Sequence, residues 1–162
     1  MKEARYVAIS RRREFLISAA SAGILLTVGR SLQAAEPVQA APPSLYEQAL
    51  DKILGDAKPR PGKIILEIPE IAENGNTVPY TISVESPMTE ADHIKAVHVL
   101  STANPLPNIA SFYFGPAVGT ARLSSRMRLA KTQEVVILAE RSDGKFLAAR
   151  RTVKVTIGGC GG

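Results

Sequence analysis

The residue in this 162-residue chain best suited to chemistry is Cys160, its only cysteine. It stands in the pentapeptide Gly158-Gly159-Cys160-Gly161-Gly162. A thiolate attacks sulfur or another electrophile and can hold the product covalently. A self-contained enzyme would place such a nucleophile rigidly beside a base and an anion-stabilising pocket. The tail holds no base, and its four glycines have no side chains to pack and wide backbone freedom. The pattern therefore predicts a slim, mobile arm that carries a group on Cys160 into the narrow sites of other proteins. Counted from Ile157, such an arm reaches about 10 Å. With no fixed cation beside it, Cys160 is expected to titrate near the ordinary thiol value of ~8.5.

Other reactive side chains give weaker patterns. His93 and His98 are the only histidines. With one distant cysteine they do not complete a zinc set, so they are read as structural or solvated, and no metal or cofactor is expected. Arg150, Arg151 and Lys154 precede the arm. They could attract an anionic conjugate, but the solvated face of an ordinary strand explains them more simply. The body contains no nucleotide-binding loop or nucleophile elbow.

The compartment bears on the cysteine. Residues 1–14 hold Lys2, Arg5, Arg11, Arg12 and Arg13 against Glu3 and Glu14, and an apolar stretch runs from Phe15 to Val28. That stretch is shorter than the roughly 20 residues of a membrane span. With the Ala-rich sequence after it, it reads as a cleavable export signal. Small-residue cleavage points lie after Ala34, Ala35 or Ala40. Ser10-Arg11-Arg12-Arg13-Glu14-Phe15-Leu16 resembles a twin-arginine signal, which implies export of a folded protein to the periplasm and no stable membrane anchoring after cleavage. From residue 41 onward there are 14 Lys+Arg and 12 Asp+Glu, an excess of 14 − 12 = +2. The whole-chain net charge of +5 thus belongs mostly to the signal, and nucleic acid is not an expected partner. In an oxidising compartment a lone cysteine is buried, joined to another chain, or kept for chemistry. Its place near the chain end argues against burial.

The elements that must position the arm follow. Residues 1–40 form the signal and linker, 41–62 a helix and linker, 63–157 a carrier domain, and 158–162 the arm. Ser44 and Glu47 have capping-box spacing. Leu45, Ala49, Leu50, Ile53 and Leu54 form an apolar stripe, and Gly55 suits the helix end. β-Strands are expected over 63–68, 77–85, 94–101, 110–114, 121–130, 134–140, 146–150 and 152–157. Asn74-Gly75 marks a turn and Asp143-Gly144 a tight hairpin. Seven or eight short strands predict an all-β fold, an immunoglobulin-like antiparallel sandwich with a short N-terminal helix. The prolines at 69, 79, 87, 105, 107 and 116 favour edges and turns.

Val153-Lys-Val-Thr-Ile-Gly-Gly-Cys-Gly-Gly162 resembles the C-terminus of the SoxY family, the carrier subunits of the periplasmic Sox thiosulfate-oxidation system. The resemblance extends to Ile68-Pro-Glu-Ile-Ala-Glu-Asn-Gly75, Ser86-Pro-Met-Thr89, Asn104-Pro105 and Leu129-Ala-Lys-Thr-Gln133, and to the export signal. It implies a sandwich paired with a SoxZ-like subunit in a heterodimer. It also implies a covalent sulfur attachment at Cys160, made by a haem-containing conjugating enzyme. A hydrolase then releases sulfate and, in some systems, a sulfur dehydrogenase oxidises the remaining sulfane sulfur. The carrier has no turnover and no prosthetic group of its own.

Two other readings stand beside this one. An exported binding or structural sandwich could use its tail cysteine for an intermolecular disulfide, since fold does not give function. The terminal Gly161-Gly162 is also similar to ubiquitin-like sulfur carriers, which use the terminal carboxylate. The export signal and the preceding cysteine argue against that mechanism.

Overall fold

The computed structural model describes residues 42–159. The export signal, Cys160, Gly161 and Gly162 lie outside the described residues. One helix, α1 (Leu45–Leu54), precedes nine strands: β1 (Arg60–Pro61), β2 (Ile64–Glu67), β3 (Ile71–Asn74), β4 (Val78–Val84), β5 (Ile94–Ser101), β6 (Asn108–Tyr113), β7 (Ala121–Met127), β8 (Gln133–Arg141) and β9 (Phe146–Ile157). A 3-10 turn at Pro116–Val118 leads into β7.

The strands make a two-sheet sandwich. One sheet runs β1-β9-β8-β5-β6, with β3 also paired to β9; the other runs β2-β4-β7. The long ladders β8/β9, β5/β8, β5/β6 and β4/β7 are antiparallel, and β8/β9 is the hairpin that the Asp143-Gly144 signal predicts. Asp143-Gly144 closes the β8/β9 hairpin with Gly144 at φ 76°, a left-handed turn conformation that suits glycine. Two short pairings, β1/β9 and β3/β9, are parallel.

The alternation in β4 places Val78, Tyr80, Ile82 and Val84 inward, where all four are buried. They meet Val97, Val99, Val135, Ile137 and Val153 in the core between the sheets. β8 does not alternate between apolar and polar because it is covered on both faces. Val135, Ile137 and Ala139 enter that inter-sheet core, while Val136 and Leu138 face a second core under α1. The described residues therefore form three layers, with the larger sheet in the middle.

α1 forms where its caps predict. Ser44 Oγ accepts from the Glu47 backbone N–H, the Ser44 backbone N–H donates to Glu47 Oε2, and Gly55 closes the far end at φ 55°. The packed, half-buried stripe differs from the sequence reading in one member, Tyr46 in place of Leu45. Tyr46, Ala49, Leu50, Ile53 and Leu54 pack on Leu100, Val136, Leu138 and Phe146, whereas Leu45 is 60% exposed.

Three further features differ from expectation. β9 is a single strand, with no break between 150 and 152. β1 and β3 were not foreseen, and both pair with β9. Pro79 lies inside β4, opposite Arg126 of β7. β2 reaches β4 only over Thr81–Val84, so on that side Pro79 has no ladder neighbour needing its missing N–H.

His98 is buried in β5, with Nδ1 2.8 Å from Ser111 Oγ and its ring edge-on to Tyr113. Burial pushes its pKa below the ordinary histidine value, against a smaller upward pull from Glu140. A lowered folded pKa means that the unfolded chain takes up the proton first. Stability is therefore full above the unfolded value of about 6.5 and declines as pH falls through it toward the folded value. Denaturant titrations at pH 7.5 and 5.5 should show the parent losing stability on acidification and His98→Gln losing less.

Candidate functional site

The site is built where β9 ends. β3 lies along the last third of β9 in parallel register, with Ile71 opposite Lys154, Ala72 opposite Val155 and Asn74 opposite Ile157. The Lys154 N–H donates to the Glu70 carbonyl at 2.8 Å, and the Val155 N–H donates to Thr132 Oγ1 at 3.0 Å. Beyond β3 the chain turns at Asn74, whose side chain accepts from the Asn76 N–H.

Three backbone hydrogen bonds then link distant segments. Gly75 N–H donates to the Ile157 carbonyl at 2.8 Å, Leu129 N–H to the Gly75 carbonyl at 2.8 Å, and Gly159 N–H to the Leu129 carbonyl at 2.9 Å. Leu129 is fully buried and anchors the set to the inter-sheet core.

Glycine is used here for space. A Cβ on Gly75 would stand 2.2 Å from the Leu129 carbonyl oxygen and 2.6 Å from the Gly159 nitrogen. One on Gly159 would stand 2.6 Å from the Gly75 carbonyl, and one on Gly158 2.3 Å from the Ala130 oxygen. All of these are backbone atoms that cannot rotate aside. The positive-φ glycines among the described residues are Gly55, Gly119 and Gly144, so none of these three is needed for a left-handed turn. Of the five residues read as the arm, the described ones are Gly158 and Gly159. Gly158 and Gly159 are docked against the domain, and Gly159 is buried.

A buried amide pair supports the docking loop. Asn104 Nδ2 donates to the Arg128 carbonyl at 2.8 Å, and Asn104 Oδ1 accepts from the Ala130 N–H at 3.0 Å and from Gln133 Nε2 at 2.8 Å. Gln133 Oε1 accepts from the Ala103 N–H at 2.8 Å, and Gln133 Nε2 also donates to the Lys131 carbonyl. Both side chains thus use most of their donor and acceptor capacity while staying almost buried. Asn104→Ala would remove the partner of the Ala130 N–H and of the Arg128 carbonyl and cost Gln133 one of its three hydrogen bonds. The expected loss is about 1–3 kcal/mol of stability, read by denaturant unfolding.

Most of the distinctive sequence blocks therefore meet at one place. Residues 68–75, 104–105 and 129–133 surround the root of the C-terminal pentapeptide. Ser86–Thr89 does not join them. It lies in a loop tied through Asp92 and His93 to Arg141 and Ser142, beside the β8/β9 hairpin and so at the opposite end of β9. Its Met88, at φ 49°, holds a left-handed conformation uncommon for a non-glycine residue. Of the three cations before the arm, Arg150 lies 3.5 Å from Glu134 and Arg151 3.5 Å from Glu70. Lys154 has no ion pair among the described residues. The histidines have separate local partners, His93 Nδ1 at 3.1 Å from the Thr89 carbonyl and His98 at Ser111. Among the described residues no group of three His, Cys, Asp or Glu is placed to hold a metal.

The family described as "Sulfur oxidation protein SoxY" matches residues 50–160. The chain belongs to the SoxY family. The solved sulfur carrier protein SoxY from Chlorobium limicola f thiosulfatophilum is 34% identical, with a TM-score of 0.58 over 68% of this chain and 94% of that one. Superoxide reductase (neelaredoxin) from Ignicoccus hospitalis matches with a TM-score of 0.52 at 18% identity, over 57% of this chain and 79% of that one, a likeness of fold alone. No curated protein sequence matches the chain. SoxY membership agrees with the resemblance read from the terminal pentapeptide and its upstream blocks. It also gives a common setting to blocks 68–75, 104–105 and 129–133, which lie far apart in sequence and adjoin in the fold. Gly75 was legible only as a turn residue. Its role against Gly159 needs the β3/β9 pairing, which periodicity did not reveal.

Proposed function

We propose that this SoxY protein is a covalent carrier of sulfur intermediates in thiosulfate oxidation, with Cys160 as the attachment point. The observation that carries the proposal is family membership over residues 50–160, a match that runs through the cysteine itself. The fold supports it. A sandwich whose last strand runs on into a docked glycine pair is a stable platform up to Gly159.

The Cys160 thiolate and thiosulfate join through a new S–S bond to give a cysteine S-thiosulfonate, with release of two electrons to a haem-containing conjugating partner. Water then cleaves the terminal S–S bond. Sulfate and two protons leave, and a persulfide anion stays on Cys160. In systems that possess it, a sulfur dehydrogenase oxidises that sulfur. The chain presents each intermediate and performs no turnover itself. It works in the periplasm after twin-arginine export, as a heterodimer with a SoxZ-like subunit.

Intact-mass analysis of the full chain tests this reading. After exposure to thiosulfate and the conjugating partner, the monomer should gain increments that a thiol reductant removes. Only free thiol, or only a disulfide-linked dimer, would refute the carrier role and favour a structural cysteine.

A further inference from the structure

We infer that Gly75, Gly158 and Gly159, with Leu129, form a backbone clamp that fixes the carrier arm at its root, making these three glycines positioning residues for Cys160. The inference rests on the carrier reading above for its functional meaning, but not for its geometry.

The glycines of a swinging arm are ordinarily explained by mobility. At positions 158 and 159 that explanation fails on distance. Gly75 and Gly159 face each other so closely that a Cβ on either would come within 2.6 Å of the other's backbone. Real side chains do not tolerate such an approach. The hydrogen bonds run Ile157–Gly75–Leu129–Gly159, so the chain is held from both sides up to the residue before the cysteine. Leu129 is buried in the core and Ala130 is held by Asn104, so the far jaw belongs to the folded body.

The consequence is a division of labour within the pentapeptide. A partner enzyme that takes Cys160 into its site meets a chain already ordered through Gly159. Freeing Gly158 and Gly159 would add backbone entropy that the partner must remove on docking, about tenfold in apparent affinity for each residue released. The intrinsic thiol chemistry would not change.

The unique cysteine allows a direct test. A nitroxide attached to Cys160 of the full chain reports motion at its root by electron paramagnetic resonance. Gly75→Ala and Gly159→Ala should each shift the line shape toward faster, wider motion, at temperatures well below unfolding. If the glycines served mobility alone, Gly75→Ala would leave the label unaffected, because Gly75 is not in the arm. Unchanged spectra in both variants would overturn the clamp. Should Gly75→Ala fold poorly, Gly159→Ala at the last clamped position decides. In thiosulfate loading by the conjugating partner, both variants should raise KM for the carrier about tenfold or more and leave kcat within about twofold. Equal KM values would overturn the positioning role. If the parent chain is not loaded at all, the carrier reading fails, while the label spectra still decide whether the clamp exists.

Discussion

Cys160→Ser should abolish sulfur loading completely, with no mass increment after thiosulfate and partner treatment. The expected effect is total because a serine hydroxyl cannot form the S–S bond that holds the cargo and is scarcely ionised near neutral pH. The chain has no second cysteine to substitute. Among the described residues both cores are complete without Cys160, so the variant should unfold at the same denaturant concentration as the parent. That pairing of lost loading with unchanged stability separates a chemical role from a structural one. Removal of Gly161-Gly162 is the complementary case. It should leave a loadable thiol, whereas a mechanism using the terminal carboxylate would be lost. Loading that persists in Cys160→Ser would sink the assignment.

The second large effect is expected in the fold. Leu138→Ala should cost about 2–5 kcal/mol, a large share of the roughly 5–15 kcal/mol typical of a domain. Leu138 is 1% exposed and lies between the central sheet and α1, against Leu100, Val136 and Phe146. Truncation there removes transfer energy and leaves a cavity. Neighbours on two rigid strands cannot close it, because β8 is held by β5 on one side and β9 on the other. Leu45→Ala is the control. Leu138 stands in an apolar run and Leu45 in the apolar stripe read along α1, but Leu45 is 60% exposed and its truncation should change stability by less than about 0.5 kcal/mol. Comparable losses in the two variants would contradict the layered arrangement.

The contrast between these leucines shows how far periodicity reaches. The capping box located α1 correctly, since its signal is local chemistry between Ser44 and Glu47. The choice between Leu45 and Tyr46 as the inward residue of the first turn is settled by where the sheet lies. β4 was legible because one of its faces is buried and the other is not. β8 was legible as a strand but not as a middle layer, because residues buried on both faces erase the alternation.

β3 was missed for a different reason. Ile71–Asn74 is short and half polar, and it is held by backbone pairing to β9 more than by burial. The unbroken course of β9 was hidden by Arg150 and Arg151, which interrupt the apolar alternation while their backbones stay in the ladder opposite Val136 and Val135. Cys160 and its glycines were conspicuous as a motif. The reason for the glycines at 158 and 159 was not, since the need for space depends on how near a distant segment comes.

The length of β9 has a mechanical consequence. It pairs with β8 from Phe146 through Val153 and with β3 from Lys154 through Ile157, so pairing is almost continuous up to the point where the arm leaves. Force applied at the C-terminal end of β9 and directed along the strand axis meets these ladders. The ladder hydrogen bonds lie across that axis and are loaded in shear together, instead of being peeled apart one at a time. Tension along β9 is thereby spread over the central sheet, and the terminal strand resists unzipping.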